Sequence, residues 1–209
     1  MTARAPEGAA ALLARAGVAV SRETLDRLAA YAALLEKWQR SINLVGPRTL
    51  GDLWTRHFLD SAQLLPLLPA GARVLVDLGS GAGFPGLVLA VLGVPEVHLV
   101  ESDTRKAAFL REAARATGAA VTVHARRAER VDPFRADVVS ARALAPLADL
   151  LALAEPFVGP GTTCLFPKGQ SVGQELTEAA KAWKMQAETL PSLTDPDAGI
   201  LRLREVHRA

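Results

Sequence analysis

One cysteine, Cys164, is all that this 209-residue chain carries. An intrachain disulfide is therefore impossible, and no metal cage can be assembled from thiolates. Long hydrophobic runs are missing too: a stretch such as Leu87–Leu92 falls far short of the roughly 20 apolar residues that span a bilayer. Met1–Gly8 is polar and Ala9–Val20 is interrupted by Arg15, so no secretory leader is expected. Paired carboxylates, a Ser/His/Asp set and a metal-ligand cluster are all lacking. His57, His98, His124 and His207 show no ligand spacing, which leaves packing or surface roles for them. Together these absences predict a soluble cytoplasmic protein with no membrane or metal partner, and a monomer as the default.

What is present is enough for a packed core. Half the residues are apolar and the net charge is only +2, which permits a nucleic-acid partner without demanding one. The length suits one substantial domain with a short attachment. We expect residues 1–70 to form an N-terminal helical extension packed on the core, and residues 71–209 to form the ligand-binding domain.

Apolar residues Leu25, Leu28, Ala32, Leu35 and Trp38 recur at helical spacing in Ser21–Arg40, with Ser21 placed to cap the start. Thr49 and Asp52 have the spacing of a capping box, which predicts that a second helix opens at Thr49. From Arg73 onward strands and helices alternate. Strands are expected at Arg73–Leu78, Glu96–Val100, Val121–His124, Asp137–Ser140 and Thr162–Phe166. Helices are expected at Phe84–Leu92, Thr104–Thr117, Pro146–Phe157 and Val172–Lys184. Met185–Leu190 and Gly199–Val206, joined by LTDPDAG, read as a terminal hairpin forming an antiparallel edge. The fold class is therefore α/β, a mostly parallel sheet covered on both faces.

The segment VDLGSGAGFPG, Val76–Gly86, is a strand ending in an acid, a glycine-dense turn and a helix start. Gly79, Gly81 and Gly83 allow close backbone approach to a ligand beyond the carboxyl ends of the strands. Read from Gly81 it matches the dinucleotide fingerprint G-x-G-x-x-G; read from Gly79 it is G-x-G-x-G with Asp77 upstream. A carboxylate repels a pyrophosphate and attracts a sulfonium amino acid, so Asp77 favours S-adenosylmethionine over NAD. Glu101, 22 positions after Gly79 and at the next strand end, is placed to accept both ribose hydroxyls. The plainer reading is a tight strand-to-helix turn beside a solvated Glu101.

With NLVG (Asn43–Gly46), RHFLDS (Arg56–Ser61), SARAL (Ser140–Leu144) and FPKGQ (Phe166–Gln170), that segment resembles the RsmG/GidB family of bacterial small-subunit rRNA methyltransferases. The likeness runs from about Tyr31 to Gln170. It implies a class I, seven-stranded, Rossmann-like methyltransferase sheet, which makes residues 71–209 the S-adenosylmethionine-binding domain. It also implies methylation of guanine N7 in 16S rRNA, with that rRNA or the small ribosomal subunit as partner. By the same resemblance Gly79 and Phe84 line the cofactor pocket, Ala128 and Glu129 meet the adenine, and Arg142 sits near the methionine end and the target.

Guanine N7 has a free lone pair and loses no proton on attack, so no general base is required. Arg142 and Lys168 fall at strand ends on the cofactor side, and one of them is expected to donate to guanine O6. A surface ion pair is the competing role for Arg142. Arg56 and Asp60 are i,i+4 and expected to pair with each other. Arg40, Arg48, Arg56, Arg126, Arg127, Arg130 and Arg135 are candidate phosphate contacts, with Arg126, Arg127 and Arg130 clustered. Trp38, Trp54 and Trp183 read as core or interface anchors. Three alternatives stay open: a methyltransferase for a small molecule or protein, an NAD(P)-dependent oxidoreductase, and a non-catalytic ribosome-assembly module.

Overall fold

The computed structural model describes residues 4–209; Met1–Ala3, where the expected extension begins, lie outside the described residues. Its helices are α1 (Ala9–Ala14), α2 (Arg22–Gln39), α3 (Asp60–Ala62), α4 (Gly86–Val91), α5 (Thr104–Thr117), α6 (Leu147–Ala154) and α7 (Val172–Ala179). Its strands are β1 (Val74–Leu78), β2 (Glu96–Val100), β3 (Val121–His124), β4 (Val138–Ala141), β5 (Thr163–Lys168), β6 (Trp183–Pro191) and β7 (Gly199–Arg208). They form one seven-stranded sheet in the order β3-β2-β1-β4-β5-β7-β6. Neighbours from β3 to β5 run parallel, whereas β7 is antiparallel to both β5 and β6. The expected hairpin is present, but its antiparallel strand lies inside the sheet and β6 takes the edge.

Local chemistry explains where several elements begin and end. Ser21 has extended backbone and its Oγ accepts from the Thr24 N–H at 3.1 Å, satisfying one donor that α2 itself leaves unpaired. Asp103 does the same for α5: its Oδ1 accepts from the Arg105 and Lys106 N–H groups at 2.8 and 3.1 Å. These bonds hold its carboxyl below the usual value. Gly118, at φ +60, closes that helix.

Two expectations are corrected. The chain turns into helix at Pro47 rather than Thr49, as a 3-10 segment Pro47–Asp52 followed by a π-helical turn Trp54–Leu59. Thr49 Oγ1 donates to the Gly46 carbonyl at 2.8 Å instead of capping. The helix expected to reach Lys184 stops at Ala179, because Trp183 is drawn into strand pairing opposite Arg208 and is nearly fully buried. Tertiary pairing overrides local helical pattern there.

Each face of the sheet carries its own core, and β1 feeds both by alternation. Val76 and Leu78 join Val139, Leu150, Leu151, Phe157 and Phe166 on the α6 face. Leu75 faces the other way, into an apolar cluster of Leu13, Leu28, Tyr31, Phe58, Leu87, Leu99 and Phe109. The N-terminal helices therefore share a core with α4 and α5. The sheet reverses its order between β1 and β4, where Asp77 and Ser140 are register partners. Ligands of open α/β sheets bind above that reversal.

Candidate active site

Two clefts adjoin above the carboxyl ends of the central strands. The smaller, of about 300 Å³, is lined by Gly79, Gly81, Glu101, Ala128 and Glu129 among others, so five of the expected cofactor residues meet in one place. The larger, of about 770 Å³, holds Arg142 and Lys168 together with Arg56, His57, Asp60 and Glu175. Ala143 and Leu144 line both and form the partition.

The smaller cleft is floored by backbone. Gly79 and Gly81 have φ of +66 and +55, a region that side-chain-bearing residues rarely adopt. A Cβ on Gly79 would stand 2.6 Å from Leu144 Cδ1, so a methyl group there would collide with the partition. Glu101 is nearly buried; its Oε2 accepts from the Gly81 N–H at 2.8 Å and its Oε1 from the Asp103 N–H at 2.7 Å. Both oxygens are thereby fixed, and each keeps a second lone pair for a ligand hydroxyl. Lys106, Arg126 and Arg127 add positive charge to the lining.

Asp77 is placed differently from the expectation of direct contact. It has no exposed surface and lines neither cleft. Its Oδ1 accepts from Ser140 Oγ at 2.7 Å and its Oδ2 from the Gly86 N–H at 3.3 Å, tying β1, β4 and the start of α4 together beneath the turn. Burial raises its carboxyl to about 6, opposed by the bonds from Ser140, Ser80 and Gly86 and by the charge of Arg142. Gly86 makes this possible, since a Cβ there would lie 2.6 Å from Asp77 Cβ and 2.5 Å from Leu99 Cδ2.

Gly83 and Phe84 are also withdrawn from the clefts. Gly83 lies under Tyr31, whose hydroxyl donates to the Ala82 carbonyl. Phe84 is stacked between Tyr31 (centroids 5.4 Å apart) and His57 (4.9 Å) and meets Phe58 edge-on. Its ring backs Arg142, whose Cζ is 5.2 Å from the centroid, a cation–π distance. The ring therefore supports the arginine from within the core, because apolar area this large is more stable packed than facing a polar cleft.

Arg142 is held on several sides. Its NH1 donates to Asp60 Oδ2 at 2.9 Å and to the Arg56 carbonyl at 3.2 Å, and its NH2 bonds His57 Nδ1 at 2.8 Å. The expected Arg56–Asp60 pair is absent; Arg56 instead meets Asp195 at 3.3 Å. Tertiary partners outcompeted the helical neighbour. Burial pushes His57 down to about 3, with the Arg142 and Arg56 charges adding to the effect. Lys168 Nζ donates to Glu175 Oε2 at 2.7 Å and to the Ala145 carbonyl at 2.9 Å. Although burial raises Glu175, the bonds from Lys168 and Ser171 hold it below the ordinary range.

His57, Asp60 and Glu175 were not singled out for the site from sequence. The first two lie inside RHFLDS, so the motif was visible while its use was not; Glu175 has no sequence signal of its own. His98 and His124, expected to have packing or surface roles, are hydrogen-bonded to each other across β2 and β3 at 2.9 Å. Among the described residues no group of three or more potential ligands is arranged to hold a metal, and no helix is long and apolar enough to cross a membrane.

Comparison with known proteins gives one consistent result. The family model for GidB, rRNA small subunit methyltransferase G, matches residues 24–200. The chain is 66% identical over 192 residues to the ribosomal RNA small subunit methyltransferase G of Rhodospirillum centenum, covering 92% of this chain and 89% of that protein. It is 62% identical over 197 residues to its counterpart in Paramagnetospirillum magneticum, covering 94% and 95%. Among solved structures, a ribosomal protein L11 methylase from Lactobacillus delbrueckii subsp. bulgaricus superposes with a TM-score of 0.57 at 16% identity, over 73% of this chain and 78% of that one. M. jannaschii TYW2 in complex with AdoMet gives 0.52 at 16% identity, over 66% and 70%. At those identities the structural likeness establishes the fold: a class I methyltransferase sheet.

Proposed function

The chain belongs to the GidB family of ribosomal RNA small subunit methyltransferases, and from that premise we propose that it methylates N7 of a guanine in 16S rRNA, using S-adenosylmethionine. The observation that carries this reading is the pair of adjoining clefts sharing Ala143 and Leu144. One has bare backbone and a fixed carboxylate suited to a nucleoside, and the other is lined by Arg142, which immediately precedes the shared wall.

The residues present fit that cofactor. Gly79 and Gly81 would approach it without side chains, Glu101 would take its ribose hydroxyls, and Ala128 and Glu129 would border its base. When bound it supplies an electrophilic methyl on a sulfonium. This chain's part is then alignment rather than proton transfer, because N7 releases no proton. Alignment of two reactants is worth about 7–11 kcal/mol. Neither a base nor a metal is needed for such a step.

Arg142 is the residue we assign to the reacting base or its methyl donor. Three of its N–H hydrogens are engaged by the protein, and of the five a guanidinium carries two remain for a ligand. Lys168, committed to Glu175 and Ala145, braces the wall of the larger cleft. Asp77, Gly83 and Phe84 shape the site from below. We assign residues 1–70 to a helical extension and 71–209 to the methyltransferase domain, acting as a monomer in the cytoplasm on rRNA or the small subunit.

The test is direct. The protein is incubated with methyl-labelled S-adenosylmethionine and small subunits from cells lacking the activity, and the labelled nucleoside is mapped. A single 7-methylguanosine in 16S rRNA supports the reading. Label at another atom, on protein or on a small molecule alone would overturn it.

A further inference from the structure

We propose that Thr49, His57 and Asp60 are positioning residues that fix the Arg142 guanidinium in the larger cleft, next in sequence to the Ala143–Leu144 partition. The proposal rests on Arg142 touching substrate or cofactor, as assigned above.

The argument begins with the direction of the hydrogens. A guanidinium only donates, so the 2.8 Å bond from Arg142 NH2 makes His57 Nδ1 the acceptor. The imidazole proton must then reside on Nε2. Nε2 is 2.8 Å from Thr49 Oγ1, which in turn donates to the Gly46 carbonyl at 2.8 Å. The chain of donors therefore runs one way: Arg142 to His57, His57 to Thr49, Thr49 to Gly46. Each partner has only one role open to it, which selects one tautomer and one ring orientation.

Asp60 closes the other side. Its Oδ2 accepts from Arg142 NH1 at 2.9 Å, while its Oδ1 accepts from Thr194 Oγ1 at 2.7 Å and Gln63 Nε2 at 2.9 Å. Both carboxylate oxygens are committed, so the group cannot swing without breaking three bonds. The ring of His57 is itself stacked on Phe84. An imidazolium would place a second cation against the guanidinium, and both burial and the flanking arginine charges disfavour it. A neutral imidazole here is a hydrogen-bond acceptor of fixed direction rather than a proton donor to the reaction. The residue before the partition, Arg142, is thus clamped on either side of its guanidinium, and Ala143 beyond it adopts a left-handed φ of +52.

Several variants separate positioning from packing. Arg142→Ala is measured first: wild-type methylation by it would remove both the assignment of Arg142 and this proposal. With Arg142 shown to matter, His57→Leu should lower kcat/KM by about 100-fold, the scale of misplacing an aligned group by roughly 1 Å. His57→Asn, whose Oδ1 can stand where Nδ1 stood, should recover activity to within about fivefold of wild type on the same reasoning. His57→Leu in the Arg142→Ala background should cost nothing further, because the two act as one unit. Equal losses in His57→Asn and His57→Leu, or an additional loss in the double variant, would overturn the proposal while leaving Arg142 in place. Should His57→Leu fail to fold, Thr49→Val and Asp60→Asn carry the test. Each should reduce kcat/KM by about tenfold, the equivalent of one hydrogen bond, without changing Tm in proportion. Wild-type rates in both would refute it.

Discussion

Replacing Asp77 by Asn removes a charge that the fold keeps entirely from water, and the consequence depends on pH. Burial raises this carboxyl from 3.8 to about 6, against the bonds from Ser140, Ser80 and Gly86. The native state therefore keeps a proton in a range of pH where the unfolded chain has released it. Stability consequently falls as pH rises from about 4 to about 6 and levels off above, the reverse of a salt-bridged carboxylate. The interval from 3.8 to about 6, at about 1.4 kcal/mol per pH unit, is worth about 3 kcal/mol. Asn keeps the size and can still accept from Gly86, with the Ser140 hydroxyl reversing to accept from its amide. The Asp77→Asn variant should be more stable than wild type by up to about 3 kcal/mol at pH 7.5, the gain vanishing near pH 4. Urea denaturation of both proteins across that range at fixed ionic strength measures it. A difference that does not change with pH would refute the reasoning. The same variant tests whether the buried charge reaches the ligand. If it acts on the sulfonium, affinity for S-adenosylmethionine falls relative to the demethylated product, which lacks that charge.

Gly86→Ala forces a Cβ to within 2.6 Å of Asp77 Cβ and 2.5 Å of Leu99 Cδ2. It should cost about 1–3 kcal/mol and lower Tm by several degrees; an unchanged Tm would show that α4 can shift without penalty. Cys164 is fully buried, which pushes its thiol up to about 12. An aromatic disulfide reagent at pH 8 should label it only at the rate of unfolding, and labelling of the native protein within seconds would contradict that burial.

The order of elements was legible because it is written in short-range periodicity and punctuation. Ser21, Gly118 and the alternation in Glu96–Val100 act within a few residues of themselves, and there the expectations and the structure coincide. Thr49 and Lys184 failed for two different reasons: the Thr49 hydroxyl is taken by the neighbouring Gly46 carbonyl and the His57 ring instead of a helix end, and strand pairing with a distant segment overrode the helical signal at Lys184. At the site, the glycine turn and Glu101 could be read because a strand-to-helix turn and the next strand end have fixed positions in such a sheet.

What the sequence determined by itself was the alternation of strands and helices, the nucleoside-shaped turn and the set of motifs that place the chain in its family. What only the tertiary structure decided was which polar groups face a ligand and which face each other. Asp77 is the clearest case, since two residues before the turn it reads as a ligand contact, yet strand pleating points it into the core against Ser140 and Gly86. His57 and Asp60 moved the other way, from a helix surface to the wall of a cleft, because Arg142 arrives from 82 and more positions later in the chain. Side-chain direction depends on which face a neighbouring element covers, and that is settled by packing between segments far apart in sequence.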